Sequence, residues 1–305
     1  MSPDGARVFV TSTTERIETR DDAVTVAYRA STGRALWIDR YRGPGDASDG
    51  SESLAVSPDG GTVFVSVLSA GVGGAQTHTM LAYDARTGAH RWATRDSGSL
   101  LFTGETPISI AASPGGSVVF VSGTARGRDR GTDFGTVAYD VGSGARVWAR
   151  RYAGAPRGYD HANALAVSPD GSTVFVIGQT STGPSTRAYA TVAYRADSGA
   201  TVWSRRYEGP TGGYSSANAV AVAPDGTRVY VTGESVGRGT AGDYATVAYR
   251  ARDGAKVWSA RYDGPSSDGD LALAVAVSPD GARVFVTGGS EHGADEFFAT
   301  VAYRG

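Results

Sequence analysis

Acidic side chains that recur at one register are the first sign of chemistry in this chain. Asp49, Glu105, Asp160 and Asp270 each lie eight residues before the Ser or Ala that opens a Pro-Asp-Gly or Pro-Gly-Gly turn, and Ser215 fills the same slot once. Oxygen-only ligands of this kind suit a hard cation, above all Ca2+. The same acids would equally cap their own loops or bond a neighbouring repeat, as short polar side chains at loop ends do. Histidines add a second chemistry. His78, His161 and His292 fall in segments that vary from repeat to repeat, with His161 beside Asp160 and His292 beside Glu291. An imidazole there would act as metal ligand or general base. The spacings match no ligand motif, so an exposed loop histidine is the plainer expectation.

Two further sets repeat. Trp37, Trp92, Trp148, Trp203 and Trp258 occupy one position of the unit. They would line a sugar site or pack between repeats, and packing is the commoner use of a repeated aromatic. Arg150-Arg151, Arg205-Arg206 and Arg261 each precede a Tyr, as a polyanion site or as charge guarding an edge strand. No Ser-His-Asp pattern, phosphate loop or His-Glu-x-x-His helix is present. The chain has no cysteine, which rules out disulfides, thiolate zinc, iron–sulfur clusters and a cysteine nucleophile.

A repeat of about 55 residues must position these groups. Its turn marker recurs at Pro3, Pro58, Pro114, Pro169, Pro224 and Pro279. One unit shows the plan. Ala219–Val222 is a short apolar run, strand A, ending at Pro224-Asp225-Gly226; Arg228–Thr232 is strand B. About a dozen loop residues lead to strand C at Ala245–Tyr249, and Asp253-Gly254 turns into strand D at Lys256–Tyr262. Short β-branched and aromatic runs between turn residues read as strands. The Gly after Pro-Asp, and the Gly shared by Gly33, Gly88, Gly144, Gly199 and Gly254, should take positive φ. Strands B and C are apolar at consecutive positions, so both sheet faces need cover. Stacked four-stranded sheets supply it, as in a β-propeller.

The expectation is therefore an all-β β-propeller of six four-stranded repeats in a single domain, 1–305. The repeats fall at approximately 1–53, 54–109, 110–164, 165–219, 220–274 and 275–305. Strands B and C occur six times, A and D five, so the first and last blades are incomplete. Unpaired edges predict possible self-association through those blades. Met1 stands where Val56 and Val167 stand, so the sequence begins inside a repeat, as a piece of a longer protein would. A–B and C–D turns share one face. The longer, variable B–C and D–A loops share the other, where a rigid scaffold usually carries function.

A net charge of −2 gives no pull toward nucleic acid or anionic lipid, and no apolar stretch is long enough for a membrane span. No signal peptide stands at the N-terminus.

The segment Tyr83-Asp84-Ala85-Arg86-Thr87-Gly88-Ala89-His90-Arg91-Trp92 resembles the tryptophan motif of quinoprotein-like propellers. Ala166-Val167-Ser168-Pro169-Asp170-Gly171 through Val176 is similar to surface-layer-type and SBBP-like bacterial β-propeller repeats, as is Asp243–Tyr249. The resemblance implies the fold and an extracellular or cell-envelope location. It does not extend to a quinone cofactor, since six partial blades and no cysteine depart from the quinoprotein dehydrogenase pattern. The expected function is a non-catalytic binding scaffold for a protein or carbohydrate ligand, using the B–C and D–A loop face. The alternative is a metal-dependent lyase, hydrolase or oxidoreductase with Asp49, Glu105, Asp160 and Asp270 at the channel mouth. A third reading is a fragment without independent function.

Overall fold

The computed structural model describes residues 1–14, 21–43, 48–70, 76–96, 109–127, 131–266, 268–293 and 295–305. The protein is an all-β propeller of six blades with 22 strands among these residues. The first blade is β1 (Arg7–Thr14), β2 (Asp22–Arg29) and β3 (Ala35–Tyr41). The second is β4 (Asp49–Val56), β5 (Thr62–Ala70), β6 (Gln76–Asp84) and β7 (His90–Asp96). The third is β8 (Ser109–Ala112), β9 (Val118–Arg126), β10 (Thr132–Asp140) and β11 (Arg146–Tyr152). The fourth is β12 (His161–Val167), β13 (Thr173–Ser181), β14 (Arg187–Arg195) and β15 (Thr201–Tyr207). The fifth is β16 (Ser215–Val222), β17 (Arg228–Val236), β18 (Gly242–Arg250) and β19 (Lys256–Tyr262). The sixth is β20 (Asp270–Val277), β21 (Arg283–His292) and β22 (Asp295–Arg304). Each sheet follows chain order. Among the described residues the first and last sheets have three strands, the first without a strand A and the last without a strand D.

Turn chemistry explains the hairpins. At the A–B turns Ser57, Ser168 and Ser278 donate their hydroxyls to Asp59, Asp170 and Asp280 at 2.5 Å, and each Asp also accepts a backbone N–H. These bonds hold the three carboxyls below the usual range. The glycines that close the A–B turns, such as Gly171 (φ +72), and the C–D turns, such as Gly254 (φ +67), adopt the left-handed backbone that other residues avoid.

Strands B and C run further than their apolar cores. In the fourth blade β13 continues to Ser181 and β14 begins at Arg187, so the B–C connection is residues 182–186 instead of a dozen-residue loop. Continuing the ladder satisfies backbone groups that a loop would leave to water. The D–A connections are the longer ones, 263–269 for example.

The chain divides into two compact units. One comprises 1–126 and 135–151, the other 127–134 and 152–305. Within each, the core lies between successive blades. Phe175, Ile177 and Trp203 of the fourth blade bury against Val229, Val231 and Tyr249 of the fifth. The repeated tryptophan is the wedge. Trp203 donates its Nε1–H to Ala251 O at 2.7 Å, Trp92 to Val141 O at 2.8 Å and Trp37 to Ala85 O at 3.1 Å, each in the next blade. Gly88, Gly144 and Gly254 lie under these rings, where an added Cβ would come within 2.6–2.7 Å of indole carbon. Packing between blades is thus the role of these tryptophans. Among the described residues no helix is long and apolar enough to cross a membrane.

Candidate functional site

The recurring acid slot sits at the start of strand A, where the D–A connection enters the sheet. Asp160 is wholly buried. Its Oδ2 accepts the Gly154 N–H at 2.6 Å, and its Oδ1 accepts the Thr180 hydroxyl at 2.7 Å and the Ser181 N–H at 3.0 Å. Asp49 and Asp270, also buried, accept the Gly43 and Gly264 N–H at 2.5 and 2.7 Å. Ser215 fills the slot in the fifth blade and donates to Ser235 Oγ at 2.9 Å. Each of the three acids thus clamps its own connection through a glycine six residues earlier. A Cβ at Gly43 would fall 2.6 Å from Asp49 Oδ1, at Gly154 2.8 Å from Asp160 Oδ1, and at Gly264 2.7 Å from Asp270 Oδ1. The Gly-x5-Asp spacing that marks the clamp is visible in the sequence. Glu105 lies outside the described residues.

One group of three acids stands out among the described residues. Asp243, Asp263 and Asp270 present carboxylate oxygens within 4.8 Å of one another. Asp243 is the second residue of β18, Asp263 follows β19 and Asp270 opens β20. Arg261 neutralises part of the charge by binding Asp243 Oδ2 at 2.5 Å. Asp243 Oδ1 and Asp270 Oδ1 are buried without a hydrogen-bond partner. Burial, Asp243 and Asp270 together push the Asp263 carboxyl up. Of the three predicted acids among the described residues, Asp270 joins this group and Asp49 and Asp160 do not. Asp243 and Asp263 were not singled out by the sequence. The available signal was an acid at the head of strand C in alternate blades, Asp22, Asp133 and Asp243, where Asp22 likewise holds Arg42 at 3.2 Å.

The histidines separate. His78 is buried inside β6, not exposed in a loop, with Nε2 2.8 Å from Ser66 Oγ; burial lowers its pKa to about 3. The strand extension past Leu68 draws it into the sheet. His161 opens β12 half-buried, and His292 ends β21 exposed, 6.5 Å from the Phe297 ring.

Immediately before two of the slots, Tyr159 and Tyr214 hold their rings out, 53 % and 41 % exposed. Their backbones are fixed: the Tyr159 N–H binds Ser181 Oγ at 2.8 Å, and Tyr214 O accepts the Val236 N–H at 2.9 Å.

A family model described as outer membrane protein assembly factor BamB matches residues 1–222 and again 133–294. No curated protein matches the chain. Solved structures resemble it at fold level. Hydrazine synthase of Kuenenia stuttgartiensis is 17 % identical with a TM-score of 0.61, over 94 % of this chain and 71 % of that one. Quinohemoprotein alcohol dehydrogenase of Comamonas testosteroni is 13 % identical with a TM-score of 0.56, over 93 % and 55 %. Sqt1 of Chaetomium thermophilum, solved bound to the N-terminus of ribosomal protein L10, is 16 % identical with a TM-score of 0.58, over 94 % and 67 %. The chain spans about half of that alcohol dehydrogenase. At these identities the likeness is one of fold, and folds of this kind carry many functions.

Proposed function

The chain belongs to the family of the outer membrane protein assembly factor BamB, and we propose that it works as a non-catalytic scaffold. It would bind a protein segment through the B–C and D–A connections. One observation carries this reading. Asp160 holds its D–A connection still and the residue before it is the exposed Tyr159; in the fifth blade Ser215 fills the slot and the exposed Tyr214 before it is fixed by its backbone bond to Val236. Rigid, amphipathic tyrosines on a fixed backbone lose little entropy on contact and recur in protein-recognition surfaces. The binding of a ribosomal-protein terminus by Sqt1 gives the reading a precedent in a similar fold.

The test is site-specific photocross-linking in the host cell. A photoreactive residue at position 159 or 214 should yield a defined protein adduct, and one at Ala89, on the short-turn side, should not. Adducts from Ala89 alone, or none from 159 and 214, would overturn the reading.

A second reading rests on the two buried, unpartnered oxygens of Asp243 and Asp270. With Asp263 they form an oxygen-rich set for a Ca2+-sized cation, as a metal-dependent enzyme would need. Native mass spectrometry with Ca2+, before and after chelation, decides it. A Ca2+ adduct lost on chelation and absent in Asp263→Asn supports it, and a bare mass throughout rejects it.

A further inference from the structure

The loop edge of the fourth and fifth blades is a continuous row of contacts. The Tyr159 N–H binds Ser181 Oγ at 2.8 Å, and Ser181 pairs with Arg187 across β13 and β14. The Arg187 N–H binds Gly213 O at 3.0 Å, next to Tyr214, whose own O accepts the Val236 N–H at 2.9 Å. Val236 pairs with Gly242, the residue before Asp243. At the spacing of neighbouring strands these steps make the row about 25 Å long, the reach of roughly eight extended residues.

The two ends of the row differ in charge. At the Tyr159 end, exposed Arg157 is the third residue of a turn in which the Gly158 N–H binds Ala155 O at 3.0 Å. Arg157 has φ +57, the left-handed backbone that no other non-glycine residue adopts among those described. Thr132 holds this strained turn in place. It donates its N–H to Gly158 O at 3.1 Å, and its O accepts the Asp160 N–H at 2.9 Å. Backbone strain held by its surroundings in this way recurs at ligand-contacting positions. Further along, the Arg187 guanidinium binds the neutral Gly183 and Thr186 carbonyls at 3.5 and 3.1 Å, and no carboxylate among the described residues pairs with it. At the far end stand Asp243, Asp263 and Asp270, and Arg261 offsets one of their three charges. Burial and the neighbouring Glu291 push the Glu234 carboxyl up, a further sign of crowded negative charge at this end. Exposed Tyr214 lies between the two poles.

Resting on the scaffold reading, we infer that this row binds an extended protein segment of mixed charge. Carboxylates of the segment face Arg157 and Arg187. An apolar or aromatic residue packs on Tyr214, and a Lys or Arg faces Asp243, Asp263 and Asp270. Two opposed poles set the direction in which a segment lies, because the reversed segment brings like charges together at both ends. A segment with acids alone meets repulsion at the Asp263 end, and one with bases alone meets it at the Arg187 end.

The probe is a benzophenone amino acid at position 214 of the full chain, photolysed in the host cell. Mass spectrometry of the adduct should place the cross-linked residue between an acidic and a basic side chain, each within about four residues of it. Arg187→Glu and, separately, Asp263→Arg should each lower the adduct yield about tenfold or more. Arg187→Lys should keep it. Residue 263 is exposed, so its reversal leaves the core intact. A yield that ignores both reversals, or a mapped segment with charges of one sign, overturns this inference and leaves the scaffold reading standing. An adduct to a second copy of this chain overturns it as well. No adduct from either 159 or 214 removes the scaffold reading itself, and this inference falls with it.

Discussion

In the fourth blade Asp160 has both carboxylate oxygens engaged, Trp203 covers Phe175, and Asn163 reaches into the next blade. In the sixth, Asp270 keeps one oxygen without a partner, Phe285 is half bare, and Leu273 stands where the Asn would be. Both blades share the strand plan and the same β-bulge in strand A, at Asn163 and at Leu273. A bulge aims one side chain out of the ladder. The repeat therefore dictates the strands and the bulge, while the bulged residue and the partners of the slot acid differ from blade to blade.

The largest effect should come from the tryptophan wedge. Trp203→Ala removes a buried indole between two blades and should cost about 3–5 kcal/mol. Phe285→Ala, on the open face, should cost about 1 kcal/mol or less. Urea unfolding of the two variants measures the contrast. Equal losses would mean that the sixth-blade face is covered in solution.

Next in size is the acid slot. Asp160→Asn weakens bonds from three donors in a buried site, a loss of about 1.5–3 kcal/mol. Asp270→Asn disturbs mainly the Gly264 bond and should cost less, about 1 kcal/mol. If Asp270→Asn proves the more damaging, the free oxygen has a partner in solution, and a cation is the first candidate.

How much of this was legible beforehand depends on what the sequence repeats. Pro-Asp-Gly turns, paired glycines and the Trp position recur at a fixed period, and from them the strands, the turn backbones and the incomplete end blades followed. The reach of strands B and C did not follow, because Gly178, Gln179 and Thr180 look like loop composition yet complete a ladder whose backbone groups the partner strand satisfies. The site was half legible. The acid register was plain, but Asp263 and Asp270 are brought together with Asp243 by two separate chain reversals that no local spacing encodes. The glycine clamp was local and could have been read from Gly43-x5-Asp49.

The smallest effect tests one slot across the blades. His78 fills the strand-C position that Tyr189 and Phe134 fill elsewhere, and like them it is buried. Its register partner Asp96 is paired with Arg146 at 3.3 Å, and Ser66 Oγ lies 2.8 Å from its Nε2. Burial lowers the imidazole pKa to about 3, against about 6.5 in an unfolded chain. The folded protein therefore refuses a proton that the unfolded chain accepts between these values. Stability from this residue is complete above about pH 6.5 and falls as pH drops below it, by about 1 kcal/mol over the first unit. His78→Phe, which copies the ring that Phe134 places in this slot, removes that titration. Urea unfolding of both proteins between pH 7 and 5 should show a shallower loss in the variant. Parallel curves would mean that His78 takes up a proton in the folded state, and that its slot is more open to water than those of Tyr189 and Phe134.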